Sequence, residues 1–136
     1  MKIKLEPWAI KPSRAHATDA GLDLCTPTDL CIDAKDSMSC DTGMHVAIPH
    51  GCVGFVKSKS GLMFKKDITT DGTVDEGYTG SINVKLFNHS DEPVFFQKED
   101  KIAQLVVLPC VIEELEFVEE LEETERGENG FGSTGR

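Results

Sequence analysis

The 136-residue sequence has no long apolar run, no closely spaced cysteine pair and few cations. A membrane-spanning helix needs roughly 20 apolar residues, and no segment approaches that length. Residues 1–6 also lack the apolar stretch of a signal peptide. The five cysteines are odd in number and contain no Cys-x-x-Cys motif, which argues against a disulfide framework and against a zinc site. These absences predict a cytoplasmic protein that does not associate with membranes.

Positive charge is scarce, since the sequence carries 14 Lys and Arg against 24 Asp and Glu, for a net charge of −10. This balance disfavours stable nucleic-acid binding through phosphates. The acidity is concentrated in residues 113–128, where nine glutamates accompany a single cation, Arg126. A polyanionic ligand would therefore need local cations or a divalent metal ion. The glutamates themselves fit a solvated charged face, and contacts with a partner protein are the alternative.

Short alternations of apolar and polar residues dominate the rest of the chain, which is long enough for one domain with a substantial core. Ile82, Val84 and Leu86 show this period of two, and it recurs at residues 3–5, 22–24, 46–48 and 53–57. The nearly continuous apolar run 102–108 predicts a strand buried on both faces. Many short strands separated by turn residues predict an all-β fold, a jelly-roll-like β-sandwich or barrel.

Three segments are less regular. Ser60 is a good N-cap for a short helix over residues 61–66. Residues 113–123 favour helix by their content of Glu and Leu, but Leu115 and Phe117 have strand spacing, so helix and strand both stay open. Residues 72–82 predict a hairpin that leads into the strand at 82–86.

The last eleven residues, 126–136, combine small residues, two arginines, two hydroxyls and one aromatic ring. Glycine lets backbone N–H groups approach a ligand closely, and Ser133 and Thr134 add donors. Arg126 suits phosphate oxygens, and Phe131 offers a face for a flat ring. The segment therefore predicts a ligand-binding arm, with a disordered tail as the plain alternative.

Four further segments place polar groups at turns or strands. They are Asp-Ala-Gly-Leu-Asp-Leu at 19–24, Lys-Ser-Lys-Ser-Gly-Leu at 57–62, the turn region 72–82, and Glu-Asp-Lys-Ile-Ala-Gln-Leu at 99–105. The cations and hydroxyls before a helix start suit phosphate. Gln104 lies inside an apolar strand, where a buried amide must be hydrogen-bonded. Each segment alone also fits a structural role, as a strand, a basic loop, a hairpin or a satisfied amide.

The order of these five segments, from Asp19 to Gly135, resembles the trimeric dUTPase family. The resemblance implies a β domain of residues 1–125 and a flexible arm of residues 126–136 that closes over bound nucleotide. It implies hydrolysis of dUTP to dUMP and pyrophosphate, with Mg²⁺ as the cofactor, by attack of water on the α-phosphorus. It also implies a homotrimer in which three subunits share each active site.

The resemblance assigns roles to individual residues. Asp75 would be the general base that activates the attacking water, and Asp23 would hold Mg²⁺ through water. Lys59, Gln104 and Arg126 would stabilise charge on the triphosphate. The implied substrate-binding residues are Ser60, Gly61, Gly72, Val74, Tyr78, Ile82, Phe131, Gly132, Ser133 and Thr134.

Two of these residues would select the substrate. Tyr78 would pack under the deoxyribose and leave no room for a 2′-hydroxyl, and Phe131 would stack on uracil. The sequence departs from the family pattern at Lys59, where arginine is usual, and at Thr79, often arginine.

Two other functions compete with this one. A dCTP deaminase shares the fold and also acts on a pyrimidine triphosphate, although the Gly-Phe-Gly-Ser-Thr arm and the pair Asp75 and Tyr78 favour dUTPase. The other is a nucleotide-gated regulatory binding protein that works through a partner protein.

Overall fold

The computed structural model describes residues 1–130 of the chain, and within them it contains ten strands and one short helix. The elements are β1 (Lys2–Leu5), β2 (Gly21–Cys25), β3 (Leu30–Ile32), β4 (Ser37–Ala47), β5 (Cys52–Lys57), α1 (Ser60–Lys66), β6 (Ile68–Thr69), β7 (Asp71–Val74), β8 (Ser81–Asn88), β9 (Val94–Phe96) and β10 (Lys101–Pro109).

Three antiparallel sheets make up the fold. One four-stranded sheet has the order β1-β4-β8-β6, a second has the order β2-β10-β5-β7, and β3 pairs with β9. Apolar side chains from all three sheets form one core, in which Leu24, Leu86, Ile102 and Leu105 are at most 1% exposed. The predicted all-β, jelly-roll-like architecture with one short helix is confirmed.

Strand β8 follows its predicted alternation closely. Ile82, Val84 and Leu86 are buried, while Asn83 and Lys85 between them are exposed. A buried aliphatic side chain of this kind typically contributes about 2–5 kcal/mol to the free energy of unfolding. The strand therefore anchors the start of the cleft described below.

Strand β10 is buried on both faces only in its first half, so the prediction for 102–108 is partly wrong. Ile102, Ala103 and Leu105 are buried, but Leu108 is 46% exposed. The pairing of β10 with β2 ends at Val106, whereas its pairing with β5 continues to Pro109. The far end of β10 thus loses one neighbouring strand and emerges into solvent.

Helix α1 begins one residue earlier than predicted. Lys59, not Ser60, is the N-cap residue, and it makes no side-chain capping bond. The carbonyl of Lys59 accepts from the N–H groups of Leu62 and Met63. The helix ends at Lys66, and the C-cap residue Asp67 that follows has a left-handed φ of 51°.

The predicted hairpin over residues 72–82 is wrong. Strand β7 pairs with β5 in one sheet, while β8 pairs with β4 and β6 in the other. The connection at residues 75–80 therefore crosses from sheet to sheet, and we call it the 75–80 turn.

Residues 111–118 follow β10 and, in the part of the chain that the structure describes, form neither helix nor strand. The helical alternative for 113–123 is therefore wrong, and the strand alternative finds no pairing within the described residues. Large apolar side chains of residues 111–121 are exposed: Val111, Ile112, Leu115, Phe117, Val118 and Leu121. No helix among the described residues is long and apolar enough to span a membrane.

Candidate functional site

Asp23 forms the centre of a charge cluster at one edge of the second sheet. Its side chain is 8% exposed; Oδ1 accepts a hydrogen bond from Lys59 Nζ, and Oδ2 lies 2.7 Å from Lys101 Nζ. Burial alone would raise the pKa of Asp23, but the hydrogen bonds from Lys101 and Lys59 outweigh it and lower the pKa. The same contact raises the pKa of Lys101. The negative charge of Asp23 is thus balanced by the ammonium groups of Lys59 and Lys101.

Gln104 lies directly opposite Asp23, since the two are register partners on β10 and β2. On its other side Gln104 is the register partner of Lys57 on β5. Its Nε2 donates to the carbonyl oxygen of Ser58 at 3.2 Å. A Cβ atom added at Gly21 would collide with its Oε1 and lie 2.9 Å from its Cδ, so the bare glycine makes room for the amide. Gln104 thus connects the charge cluster with the end of β5.

A cleft of about 160 Å³ opens beside this end of β5. Its walls come from β5, β7, β8 and the 75–80 turn: Val56, Gly72, Thr73, Val74, Tyr78, Ser81, Ile82 and Asn83. Val56 and Gly72 are register partners, which joins the cleft to the strand that leads to Lys59. Four predicted substrate-binding residues therefore line one cavity.

The 75–80 turn carries Asp75 and Tyr78, and both side chains are exposed. The backbone N–H of Tyr78 donates to the carbonyl oxygen of Asp75 at 3.2 Å, which closes the turn. The phenol donates to the carbonyl oxygen of Ser81 at 3.1 Å, and the ring lies over Gly80, where a Cβ would be 2.9 Å from its Cε2. Tyr78 is thus half exposed, with one face held against the backbone and the other free.

Ser60 and Gly61 lie at the exposed start of α1, immediately after Lys59. A Cβ at Gly61 would meet no atom within 4 Å, so folding of the described chain does not require glycine there. Glycine at this position would instead allow a ligand to approach the backbone closely.

Arg126 is not brought to the cluster in the described chain. Its Nε donates to the carbonyl oxygen of Asn129 at 3.0 Å, inside its own turn. The predicted residues Phe131, Gly132, Ser133 and Thr134 lie outside the described residues. The part of the predicted site that is described therefore comprises the charge cluster, Gln104, the cleft, the 75–80 turn and the start of α1.

Several residues of the site were not predicted. Lys101, the second partner of Asp23, and Ser58, the acceptor for Gln104, are the main ones. Asp23, an isolated carboxylate within the apolar strand β2, signals that a cation lies on a neighbouring strand, but not which cation.

The donor atoms present decide how a magnesium ion would fit. The described residues contain no group of three or more His, Cys, Asp or Glu side chains placed to hold a metal ion. Mg²⁺ keeps several waters and takes one or two carboxylates together with substrate phosphates. Asp23, with two lysines beside it to meet phosphate oxygens, fits that second kind of site.

Comparison with known proteins gives a consistent result. A family model described as dUTPase matches residues 8–135. A deoxyuridine 5′-triphosphate nucleotidohydrolase of Nocardia farcinica is 42% identical over 136 residues, covering 97% of this chain and 82% of that protein. The dUTPase of Staphylococcus bacteriophage 80alpha, determined with dUPNHPP, superposes with a TM-score of 0.92 at 31% identity over 99% of this chain and 98% of its own. A mutant dUTPase of S. aureus phage phi11, described in terms of the coordination of a structural Mg(II) ion, gives a TM-score of 0.81 at 27% identity, over 90% of this chain and 98% of its own.

Proposed function

The chain belongs to the dUTPase family, and from this membership we propose that it is an enzyme, a dUTP diphosphatase that hydrolyses dUTP to dUMP and pyrophosphate. The observation that carries the proposal is the cleft, in which Gly72, Val74, Tyr78 and Ile82 come together beside the β5 end that leads to Lys59. At about 160 Å³ it suits part of a nucleotide, the base and sugar, better than a whole triphosphate.

Selection of substrate belongs to the cleft in this proposal. The free face of Tyr78 packs against the deoxyribose, and the closeness of the ring leaves no room for a 2′-hydroxyl. Backbone groups of the strands on either side of the 75–80 turn are available to read the uracil edge. The buried side chains of Val74 and Ile82 fix those strands from below.

Chemistry on phosphorus is proposed to begin at Asp75. This carboxylate is exposed and directly follows Val74, which lines the cleft, and in this proposal it accepts a proton from the water that attacks the α-phosphorus. Charge that develops on the triphosphate is stabilised by Lys59, by the amide of Gln104 and by Arg126, since preorganised donors and cations are the main source of catalysis in phosphoryl transfer. Lysine at position 59 supplies charge without the two-pronged contact of arginine.

Magnesium is proposed to be held by Asp23 through water, together with the phosphates. When bound, the ion would supply positive charge along the phosphate chain. Lys59 and Lys101, which balance Asp23 in this structure, are close enough to the same place to turn to phosphate oxygens.

We further propose a homotrimer with shared active sites and a β domain of residues 1–125 followed by an arm of residues 126–136. The exposed apolar side chains of residues 111–121 support association, because a segment with this much exposed apolar surface is suited to packing against another copy. The arm, with Phe131, Gly132, Ser133 and Thr134, is proposed to close over nucleotide. The five free cysteines support a reducing compartment such as the cytoplasm.

One assay tests the function. Pyrophosphate release is measured from dUTP, dTTP, dCTP and UTP, each with and without Mg²⁺, with ammonia release followed in parallel. We expect turnover of dUTP alone, and turnover that depends on Mg²⁺. Ammonia from dCTP would establish a deaminase instead, and binding of dUTP without any turnover would favour a regulatory protein.

A further inference from the structure

The 75–80 turn raises a structural question. Its side chains are mostly exposed, and those of Asp75 and Tyr78 are among them. Few buried contacts therefore hold these two residues in place. Within the turn, one backbone bond, from Tyr78 N–H to the carbonyl of Asp75, gives local closure. A turn with so little internal support is mobile unless contacts outside it hold it in place.

The first such contact is made by Glu76, the neighbour of Asp75. Its Oε2 accepts the backbone N–H of Gly51 at 3.0 Å, and its Oε1 accepts from Nδ1 of His50 at 2.9 Å. Both partners belong to the connection between β4 and β5. A single carboxylate thus ties the first half of the turn to a neighbouring loop at two points.

The second contact is made by His45 on β4. Its Nδ1 donates to the carbonyl oxygen of Thr79 at 2.8 Å, and its Nε2 lies 3.1 Å from Oε1 of Glu6. The imidazole is 21% exposed, and Lys4 Nζ lies 2.9 Å from the same Glu6 oxygen. The second half of the turn is thus fixed to β4.

We propose that Glu76 and His45 are positioning residues, which together hold the 75–80 turn so that Asp75 and Tyr78 stay aligned with the cleft. The catalytic consequence of this role rests on the function proposed above. The positioning itself does not, and it can be measured without any nucleotide.

The chain contains one tyrosine, so Tyr78 can report on the turn directly. Uniform incorporation of 3-fluorotyrosine gives a ¹⁹F NMR spectrum from this ring alone. We expect Glu76→Ala and His45→Ala to move the resonance towards the free amino acid's shift or to broaden it. Gly80→Ala is the positive control, because its Cβ would displace the ring. Asp91→Ala is the matched negative control, since it removes an exposed ion pair with Lys35 elsewhere.

Kinetics test the consequence. Misplacement of a reacting group by about 1 Å can cost about 100-fold, so we expect kcat/KM for dUTP to fall about tenfold or more in Glu76→Ala and in His45→Ala. The fall should be mainly in kcat, and discrimination against UTP should weaken along with it. Glu76→Gln keeps an oxygen for the Gly51 N–H and should recover most of the loss. The melting temperature is measured for every variant to exclude unfolding.

The outcomes separate the two proposals. An altered resonance in both variants, with no dUTP turnover even in the wild type, would uphold the positioning and remove the proposed function. An unchanged resonance would overturn the positioning, whatever the kinetics. An altered resonance with kcat/KM within twofold of wild type would uphold the positioning and overturn its catalytic consequence, because the alignment would then not matter for turnover.

Discussion

Asp23 shows how a single residue sets the electrostatics of the site. A carboxylate that is 8% exposed needs a cation, and this one has two, Lys59 and Lys101. Removal of one partner from a buried pair typically destabilises a protein by about 3–5 kcal/mol, because a charge is left uncompensated. The second lysine reduces that risk here, so either lysine can turn to a phosphate while the other still balances Asp23.

The proposed base gives the sharpest prediction at this scale. Asp75→Asn should keep nucleotide binding but lower kcat by about 10²- to 10⁴-fold, because the amide is nearly the same size and cannot accept the proton. The measurement is single-turnover hydrolysis beside a binding titration with dUTP. The melting temperature should not change, since Asp75 is exposed. Turnover within a few-fold of wild type would remove Asp75 from this role.

Asp41 gives a prediction of pH dependence. Its Oδ1 accepts from the Ser81 hydroxyl and from the Gly43 N–H, and these bonds, that of Ser81 first, lower its pKa below the ordinary aspartate value of 3.8. A lowered folded-state pKa stabilises the fold above about pH 4 and ceases to do so as pH falls through the lowered value.

We therefore expect Asp41→Asn to lower the free energy of unfolding at pH 7 by less than about 1 kcal/mol, since the site is exposed and the amide still accepts. Denaturant titrations of both proteins between pH 7 and pH 3 should show the difference shrinking as the wild-type carboxyl gains its proton. A difference that stays constant over this range would mean that the ionised carboxyl contributes nothing.

At the scale of elements, β10 and its neighbours are the part that positions the site. β10 lies between β2 and β5, so Gln104 is flanked by Asp23 on one side and Lys57 on the other. Its amide rests over Gly21, where any side chain would collide with it. The glycine is thus a feature of the site rather than of a turn.

Gly21→Ala should therefore displace the amide of Gln104 at little cost to the fold, because the clash is with the far end of a flexible side chain. Loss of one preorganised donor is worth about 10²-fold or more in kcat, so we expect kcat/KM to fall about tenfold or more. A double-mutant cycle with Gln104→Ala is the check. If Gly21→Ala lowers activity equally in the Gln104→Ala background, it acts by another route.

Single elements with one strong local signal could be predicted from the sequence. The way in which consecutive elements connect and where they begin could not. Strand β8 follows from Ile82, Val84 and Leu86, because one of its faces is buried throughout. The relation of β7 to β8 did not follow, because local turn signals are the same whether two strands pair or enter different sheets. The start of α1 was misplaced by one residue since Lys59 caps it with its backbone alone.

The same distinction holds for the site. Gly72, Val74, Tyr78 and Ile82 come from one continuous motif and line one cleft, and their substrate-binding role stays a prediction. Partners brought in by tertiary structure could not be predicted, and Lys101, His45 and Glu76 are of this kind. Their contacts depend on strand register and on which loops meet. No local sequence pattern encodes either of these.

At the scale of the whole molecule, the core and the C-terminal segment are separate in composition and burial. The buried apolar residues run from Leu22 to Leu105, and residues 111–129 are exposed throughout. The core of the described chain therefore does not depend on its last residues, although the proposed active site does.

Deletion of residues 127–136 should thus leave a folded but nearly inactive protein. The deleted segment has one large apolar side chain, Phe131, so the melting temperature should stay within about 3 °C of wild type. Stacking of a base on an aromatic ring is worth about 1–3 kcal/mol, and each ~1.4 kcal/mol is tenfold in rate or affinity. Loss of the Ser133 and Thr134 contacts should lower kcat/KM further. A much lower melting temperature would make the segment structural, and full activity would make it irrelevant to catalysis.

The truncated protein also tests whether sites are shared between subunits. It retains Asp75 and lacks the arm, whereas Asp75→Asn retains the arm and lacks the base, so each should be nearly inactive alone. If one site takes its base and its arm from different copies, refolding an equal mixture should give about one quarter of the sites a complete set, since mixing is random. Activity should therefore appear on mixing, and light scattering should give the mass of a trimer. A mixture as inactive as its two components would show that base and arm come from the same chain, and the shared site would then have to be abandoned.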